Sequence, residues 1–240
     1  MSIPHNHEYN PWSPSQGNIL ATPPEPEPPT LQIKTIEGVE PLDRQIGMFP
    51  KKTVPDTLRD ILFGQPISTV TGNKTAYAAA VPLVQTYAIL DAAKVANLPE
   101  LLERSGLEHR CLFKGNAYDE LKNVAPWIVR LEEDNAFTRH LFTSSDAVWH
   151  LWDKEPGIYI RAQRTLDDVW RHFRKFTRMQ DERGKWYYFR FYEGSAFLSL
   201  AKTLSKSEVG ELLPEGMTVI SLLPKGGKKA VLMGSRNDST

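Results

Sequence analysis

His109 and Cys111 stand two residues apart, a spacing that turns both side chains to one face of a strand, where an imidazole can activate a thiol. Phe113 continues that face and no third group is at hand to orient the histidine, so the simplest account is a core cysteine beside a hydrogen-bonded histidine. Asp91 closes the run YAILDAA, at a strand end where open α/β sheets often carry function. Its other use is as a cap that accepts backbone N–H bonds, and no second carboxylate at a defined spacing completes an acid–base pair. His140, His150 and His172 lie ten and twenty-two residues apart, with no cysteine or carboxylate at zinc-ligand spacing. His172 suits a helix-edge histidine bonded to a neighbouring strand. Gly226 and Gly227 are flanked by lysines but lack the following helix of a phosphate cradle. No catalytic, cofactor-binding or metal-ligating set is expected; the enzyme alternative is a small hydrolase or transferase using Asp91 or Cys111 with His109.

Recognition chemistry is better represented. Residues 186 to 192 read WYYFRFY after the turn signal Asp181-Glu182-Arg183-Gly184, which predicts a strand from 185 to 192. Alternation sends Trp186, Tyr188, Arg190 and Tyr192 to one side and Tyr187, Phe189 and Phe191 to the other. Aromatic and arginine side chains suit interface hot spots, since they bury much area and still hydrogen-bond. An arginine inside such a strand needs a counter-charge, and Arg190 with Asp91, or Arg174 with Glu193, would supply ion pairs. Arg171, Arg174, Lys175 and Arg178 form a basic stripe along a helix expected over 165 to 180. That stripe is either a phosphate-binding surface or a solvated face whose Asp167 and Asp168 sit at the positive end of the helix dipole. With 29 basic and 29 acidic residues in balance, nucleic-acid binding is not expected and a partner must be recognised locally.

These groups need a scaffold, and the pattern predicts an α/β (α+β) fold, a compact mixed sheet with flanking helices after a proline-rich extended N-terminal segment. Residues 1 to 45 hold Pro23, Pro24, Pro26, Pro28 and Pro29 interleaved with Glu25 and Glu27, the composition of a flexible polyproline-II-like tail. Its Trp12, Leu31 and Ile33 are candidates to lie on a partner or to fold back on the domain. Residues 46 to 82 read as a short helix, with Thr53 as its cap, and a linker. From 83 to 233 strands alternate with helices, in a first lobe to 147 and a second from 148, closed by a helix over 194 to 213 and a hairpin. Residues 234 to 240 are expected to be disordered. One cysteine excludes an internal disulfide and suits a reducing compartment. The chain shows neither a secretory signal pattern nor an apolar run long enough for a bilayer, so a cytoplasmic protein without a membrane partner is expected.

HFRKF, DERGKWYYFRFYE, YAILDAA at 87 to 93 and APWIVRL at 125 to 131 together resemble the type VI secretion effector adaptors, also called Tap or Tec chaperones. The likeness runs from about Tyr87 to about Leu204. It rests on a Leu-Asp-Ala strand end at Asp91, a strand-opening proline at Pro126, a His-x-Arg helix at His172 and Arg174, and Arg190-Phe191-Tyr192. Glu193-Gly194 stands where the family usually has Asp-Pro, which keeps the charge and loses the rigid turn. The resemblance implies a non-enzymatic cytoplasmic adaptor that binds a toxic effector and helps load it onto a VgrG spike protein. It implies that Asp91, Pro126, His172, Arg174 and Glu193 are scaffold. Trp186, Tyr188, Arg190, Tyr192, Arg171 and Arg178, with the tail residues Trp12, Leu31 and Ile33, are then the candidate contacts.

Overall fold

The computed structural model describes residues 30–66, 83–223 and 228–236. Trp12 and the prolines of the tail, most of the linker, the Gly226-Gly227 turn and the last four residues lie outside the described residues.

Seven strands make one sheet: β1 (Thr30–Ile36), β2 (Gln85–Asp91), β3 (His109–Cys111), β4 (Pro126–Leu131), β5 (Gly157–Ala162), and the hairpin strands β8 (Met217–Leu223) and β9 (Lys229–Arg236). A separate ribbon pairs β6 (Arg178–Gln180) with β7 (Trp186–Tyr188). The sheet order is β1-β9-β8-β5-β2-β4-β3, and every neighbouring pair in it is antiparallel. Strand–helix alternation therefore reflects helices that return the chain between antiparallel strands, without parallel crossovers. The sheet spans the expected division at residue 147, because β5 pairs with β2. It also takes in residues expected to be tail: β1 runs antiparallel to β9 at the sheet edge. The proline-dense composition ends before the β-branched run Ile33 to Ile36, which suits a strand.

Helices cover both faces, so β2 is buried almost throughout and its side chains divide by period two. Ala88 and Leu90 join a core with α1 (Asp56–Phe63), α2 (Leu98–Ser105) and α4 (Ala136–Phe142). Tyr87 and Ile89 join a second core with α5 (Leu166–Arg174), α6 (Gly194–Thr203) and α7 (Lys206–Leu212). A short helix, α3 (Asn116–Leu121), follows β3. In α1, Leu58 and Leu62 are fully buried, each contributing about 2–3 kcal/mol. The residue before that helix is Pro55, and no side chain caps it, contrary to the expected use of Thr53. Its other end is held by Arg161 of β5, whose guanidinium donates to the Leu62 and Gly64 carbonyls and, at 3.0 Å, to the Thr86 hydroxyl. Carbonyls with no partner inside the helix are thereby satisfied.

Three elements differ from the pattern-based expectation. The helix over 165 to 180 starts as expected, capped by the Thr165 side chain, but ends at Arg174; a 3-10 turn follows, and 178 to 180 become β6. The aromatic strand expected over 185 to 192 stops at Tyr188; one further backbone bond, Phe189 N–H to Thr177 O, follows, and the chain then turns inward to bury Phe191 and Tyr192. The helix over 194 to 213 is two helices, divided where Ser205 and Glu208 form a capping box that starts α7. No helix among the described residues is long and apolar enough to cross a membrane.

Gly157 opens β5 against β2, and a Cβ there would collide with the Ile89 carbonyl. Gly157→Ala is expected to lower stability by about 2–3 kcal/mol, read as a lower urea midpoint; an unchanged midpoint would show that the two strands can separate at little cost.

Candidate functional site

Strand β2 delivers Asp91 to the protein interior, where its side chain is 1% exposed. One carboxylate oxygen accepts the Ala93 N–H at 2.9 Å, and the other is bound by the Arg190 guanidinium. Arg190 also pairs with Glu193 at 3.0 Å. Burial works against the arginine's charge, but Asp91 and Glu193 outweigh it and raise its pKa. Tyr192 lies against the same charges, and burial, then Asp91, pushes its phenol well above the usual range. Pro126 faces Asp91 in the β2–β4 register, as a strand's first residue that need not donate. Both uses read for Asp91, cap and ion-pair partner, are realised together, and the carboxylate is fully engaged. Arg174 takes no part: it lies over the Trp170 ring, 5.4 Å from its centroid, and not against Glu193.

The His109–Cys111 pair has little nucleophilic character. Burial pushes the Cys111 thiol up to about 11, only partly offset by the Phe113 N–H, so it stays protonated near neutral pH. His109 bonds through Nδ1 to the Leu107 carbonyl at 2.7 Å. His172 is hydrogen-bonded at a helix edge, but its partner is a helix and not the expected strand: Nε2 donates at 2.9 Å to the carbonyl of Leu212, the last residue of α7. Burial lowers its pKa against the effect of that bond. Among the described residues no group of three or more His, Cys, Asp or Glu is arranged to hold a metal ion.

The recognition residues divide into two sets. Trp186, Tyr187 and Tyr188 are 61%, 44% and 47% exposed, all on the β6–β7 ribbon. The Asp181 carboxylate accepts the N–H groups of Arg183 and Lys185 and shapes the ribbon's turn. Arg190 and Tyr192, expected on the same strand face as Trp186 and Tyr188, lie beyond the ribbon; Tyr192 is only 4% exposed and is no surface contact. Two-stranded pairing ends at Tyr188, and the next apolar side chains, Phe189 and Phe191, go to the second core. Leu31 and Ile33 sit on β1, at the opposite sheet edge from β3. Arg171 and Arg178 do approach the aromatic surface. Arg171 pairs with Asp168 at 3.0 Å, while Arg178 lies 5.2 Å from the Tyr188 ring centroid and donates to its hydroxyl at 3.2 Å.

Residues outside the aromatic run complete this surface. Phe113 packs on Tyr188, ring centroids 4.8 Å apart. Arg110 and Lys114 lie over the largely buried Trp170 at 4.2 and 4.4 Å, and the indole N–H donates to the Cys111 carbonyl at 2.7 Å. Period two along β3 would have placed Arg110 opposite His109 and Cys111, toward α5. A second surface feature was not legible from spacing. His140 and His150, rings 5.6 Å apart, border a cleft of about 510 Å³ with Arg44, Lys51, Arg139 and Trp149. His150 Nδ1 lies 2.5 Å from the Ser145 hydroxyl. Burial, then Arg139 and His150, lowers the His140 pKa to about 4.

Residues 86–211, somewhat more than half of the chain, match the model of a family described as "Domain of unknown function (DUF4123)". Neither a curated protein nor a solved structure matches.

Two outcomes are expected from these geometries. Arg190→Ala strands the buried Asp91 charge and should cost on the order of 3–5 kcal/mol in urea unfolding; Glu193→Ala, which removes the more exposed partner, should cost far less. Equal losses would mean that Asp91 does not depend on its arginine. The second concerns pH. At and above neutral pH His140 is unprotonated in both folded and unfolded chains and contributes no pH dependence. As pH falls from 6.5 toward about 4, the unfolded chain takes up a proton that the folded chain resists, so stability drops across that window. Thermal unfolding of His140→Gln should show a smaller drop than the parent; an identical profile would remove His140 as its source.

Proposed function

Because the chain belongs to the DUF4123 family, we propose that it is a type VI secretion adaptor, a cytoplasmic chaperone that binds a protein effector and helps load it onto a VgrG-type spike, with no turnover of its own. The observation that carries this reading is the ribbon. Three consecutive large aromatic side chains lie outside the sheet, each about half exposed or more. Exposed tryptophan and tyrosine on a rigid element are the usual source of interface hot spots. The chain leaving the ribbon is tied to the body of the protein by the Arg190 pair with the buried Asp91 carboxylate, and anchoring of this kind lowers the ordering cost of binding. Its polar surroundings, Arg178 and Lys185 over the tyrosine rings, suit a partner with apolar and acidic groups together. The absence of turnover is supported by the protonated Cys111 thiol and the fully engaged Asp91 carboxylate.

The test is affinity purification of the tagged chain from cells that make a VgrG-type spike and its toxin, with mass spectrometry of what co-elutes. The parent chain should bring down both. The triple variant Trp186→Ala, Tyr187→Ala, Tyr188→Ala should lose the toxin by about tenfold or more while keeping its circular dichroism and melting temperature. Recovery of neither protein with the parent chain would sink the adaptor reading, and full retention by the variant would move the contact off the ribbon.

A further inference from the structure

Beside the ribbon lies a cleft of about 340 Å³ between the segment after β3 and the end of α5, walled by Phe113, Lys114, Arg171, Arg174, Lys175 and Arg178. Among the described residues no acidic side chain lines it. Among the described residues Lys114, Arg174, Lys175 and Arg178 have no carboxylate at ion-pair distance, and only Arg171 does, through Asp167 and Asp168 of its own helix. This concentration of positive charge occurs in a chain with no net charge, so it is local and not part of a generally basic surface.

The cations lean on rings instead. Lys114 and Arg174 lie over Trp170, and Arg178 over Tyr188. A guanidinium held over a ring keeps N–H donors at its edge, and those donors match a carboxylate in a fork geometry. Like charges gathered without counter-ions repel one another, and an anionic ligand relieves that repulsion on binding. Phe113 stacked on Tyr188 adds an apolar wall that joins the cleft to the exposed ribbon.

We infer that this cleft receives an acidic, extended segment of the partner protein, its carboxylates taken by Arg174, Lys175, Arg178 and Lys114 and its apolar side chains by Phe113 and the ribbon. The inference rests on the adaptor reading for the identity of the partner, but not for the chemistry of the cleft. A peptide fits better than a nucleic acid. The cleft is small and apolar along one wall, and Asp167 and Asp168 on the same helix would repel a continuous phosphate backbone.

The experiment uses the full chain and three fluorescein-labelled probes: a short peptide alternating aspartate with phenylalanine, the same peptide with asparagine for aspartate, and a single-stranded oligonucleotide. Fluorescence anisotropy should show binding of the acidic peptide that weakens with salt, and at least about tenfold weaker binding of the asparagine peptide. Arg174→Gln/Arg178→Gln should weaken the acidic peptide by about tenfold or more. Lys175→Gln, which touches no ring, should weaken it less but in the same direction, so a folding defect in the double variant cannot imitate the result. Arg104→Gln, a basic residue on α2 outside the cleft, should have no effect. Equal binding of both peptides, or parent-like binding by the double variant, would overturn the proposal; so would an oligonucleotide that binds tighter than the peptide and displaces it, making the cleft a nucleic-acid site. Peptide binding is read without cargo, so it can succeed while co-purification of spike and toxin fails. If co-purification succeeds and the double variant retains its cargo undiminished, the cleft proposal falls and the adaptor reading stands.

Discussion

A carboxylate at the end of a strand covered on both faces arrives in the interior, and it can stay ionised there only with a cation and hydrogen bonds around it. Asp91 is that carboxylate, and Arg190 is its cation. The requirement reaches across the chain, since the arginine comes from ninety-nine residues further on. Meeting it brings the segment after β7 onto the end of β2, seats Phe191 and Tyr192 in the second core, and fixes the point at which the exposed ribbon leaves the body of the protein. The pair's contribution to net stability is small compared with its effect on position. It determines where the aromatic surface stands.

Much of the scaffold was legible because both of its faces are buried. The near-continuous apolar runs of β2, β4 and β5 and the amphipathic start of α5 all follow from covering a sheet with helices on both faces. The Arg190–Asp91 pairing was legible too, because an arginine amid aromatic residues demands a counter-charge. What pattern could not give was where regular structure stops. The residues 186 to 192 look like one strand by composition, yet the last four leave the ribbon, with Phe189, Phe191 and Tyr192 going to the core, since a two-stranded ribbon has no second layer to bury Phe191. The break at Ser205 carried a readable signal, serine followed three residues on by glutamate, that the longer apolar pattern concealed.

The candidate surface was only half visible for a related reason. Trp186, Tyr188, Arg171 and Arg178 announce themselves by type and spacing. Phe113, Lys114 and Arg110 come from the far edge of the sheet, and only tertiary contact puts them against Tyr188 and Trp170. The same holds for His140 and His150, which share a cleft because the Leu151 N–H bonds to the His140 carbonyl and folds the following loop onto α4.

The order of strands separates two notions of a domain. The family match covers 86–211 and so contains β5, β2, β4 and β3, which are adjacent, but neither β8 nor β9 that follow it nor β1 that precedes it. Cut at the limits of homology, the sheet would end at β5, leaving its outer backbone groups without the partners that β8 provides and uncovering apolar surface of both cores. The span that the family model matches and the span that completes the sheet therefore have different boundaries. The flanking strands supply the hydrogen bonds and bulk at an edge that the matched span does not close for itself.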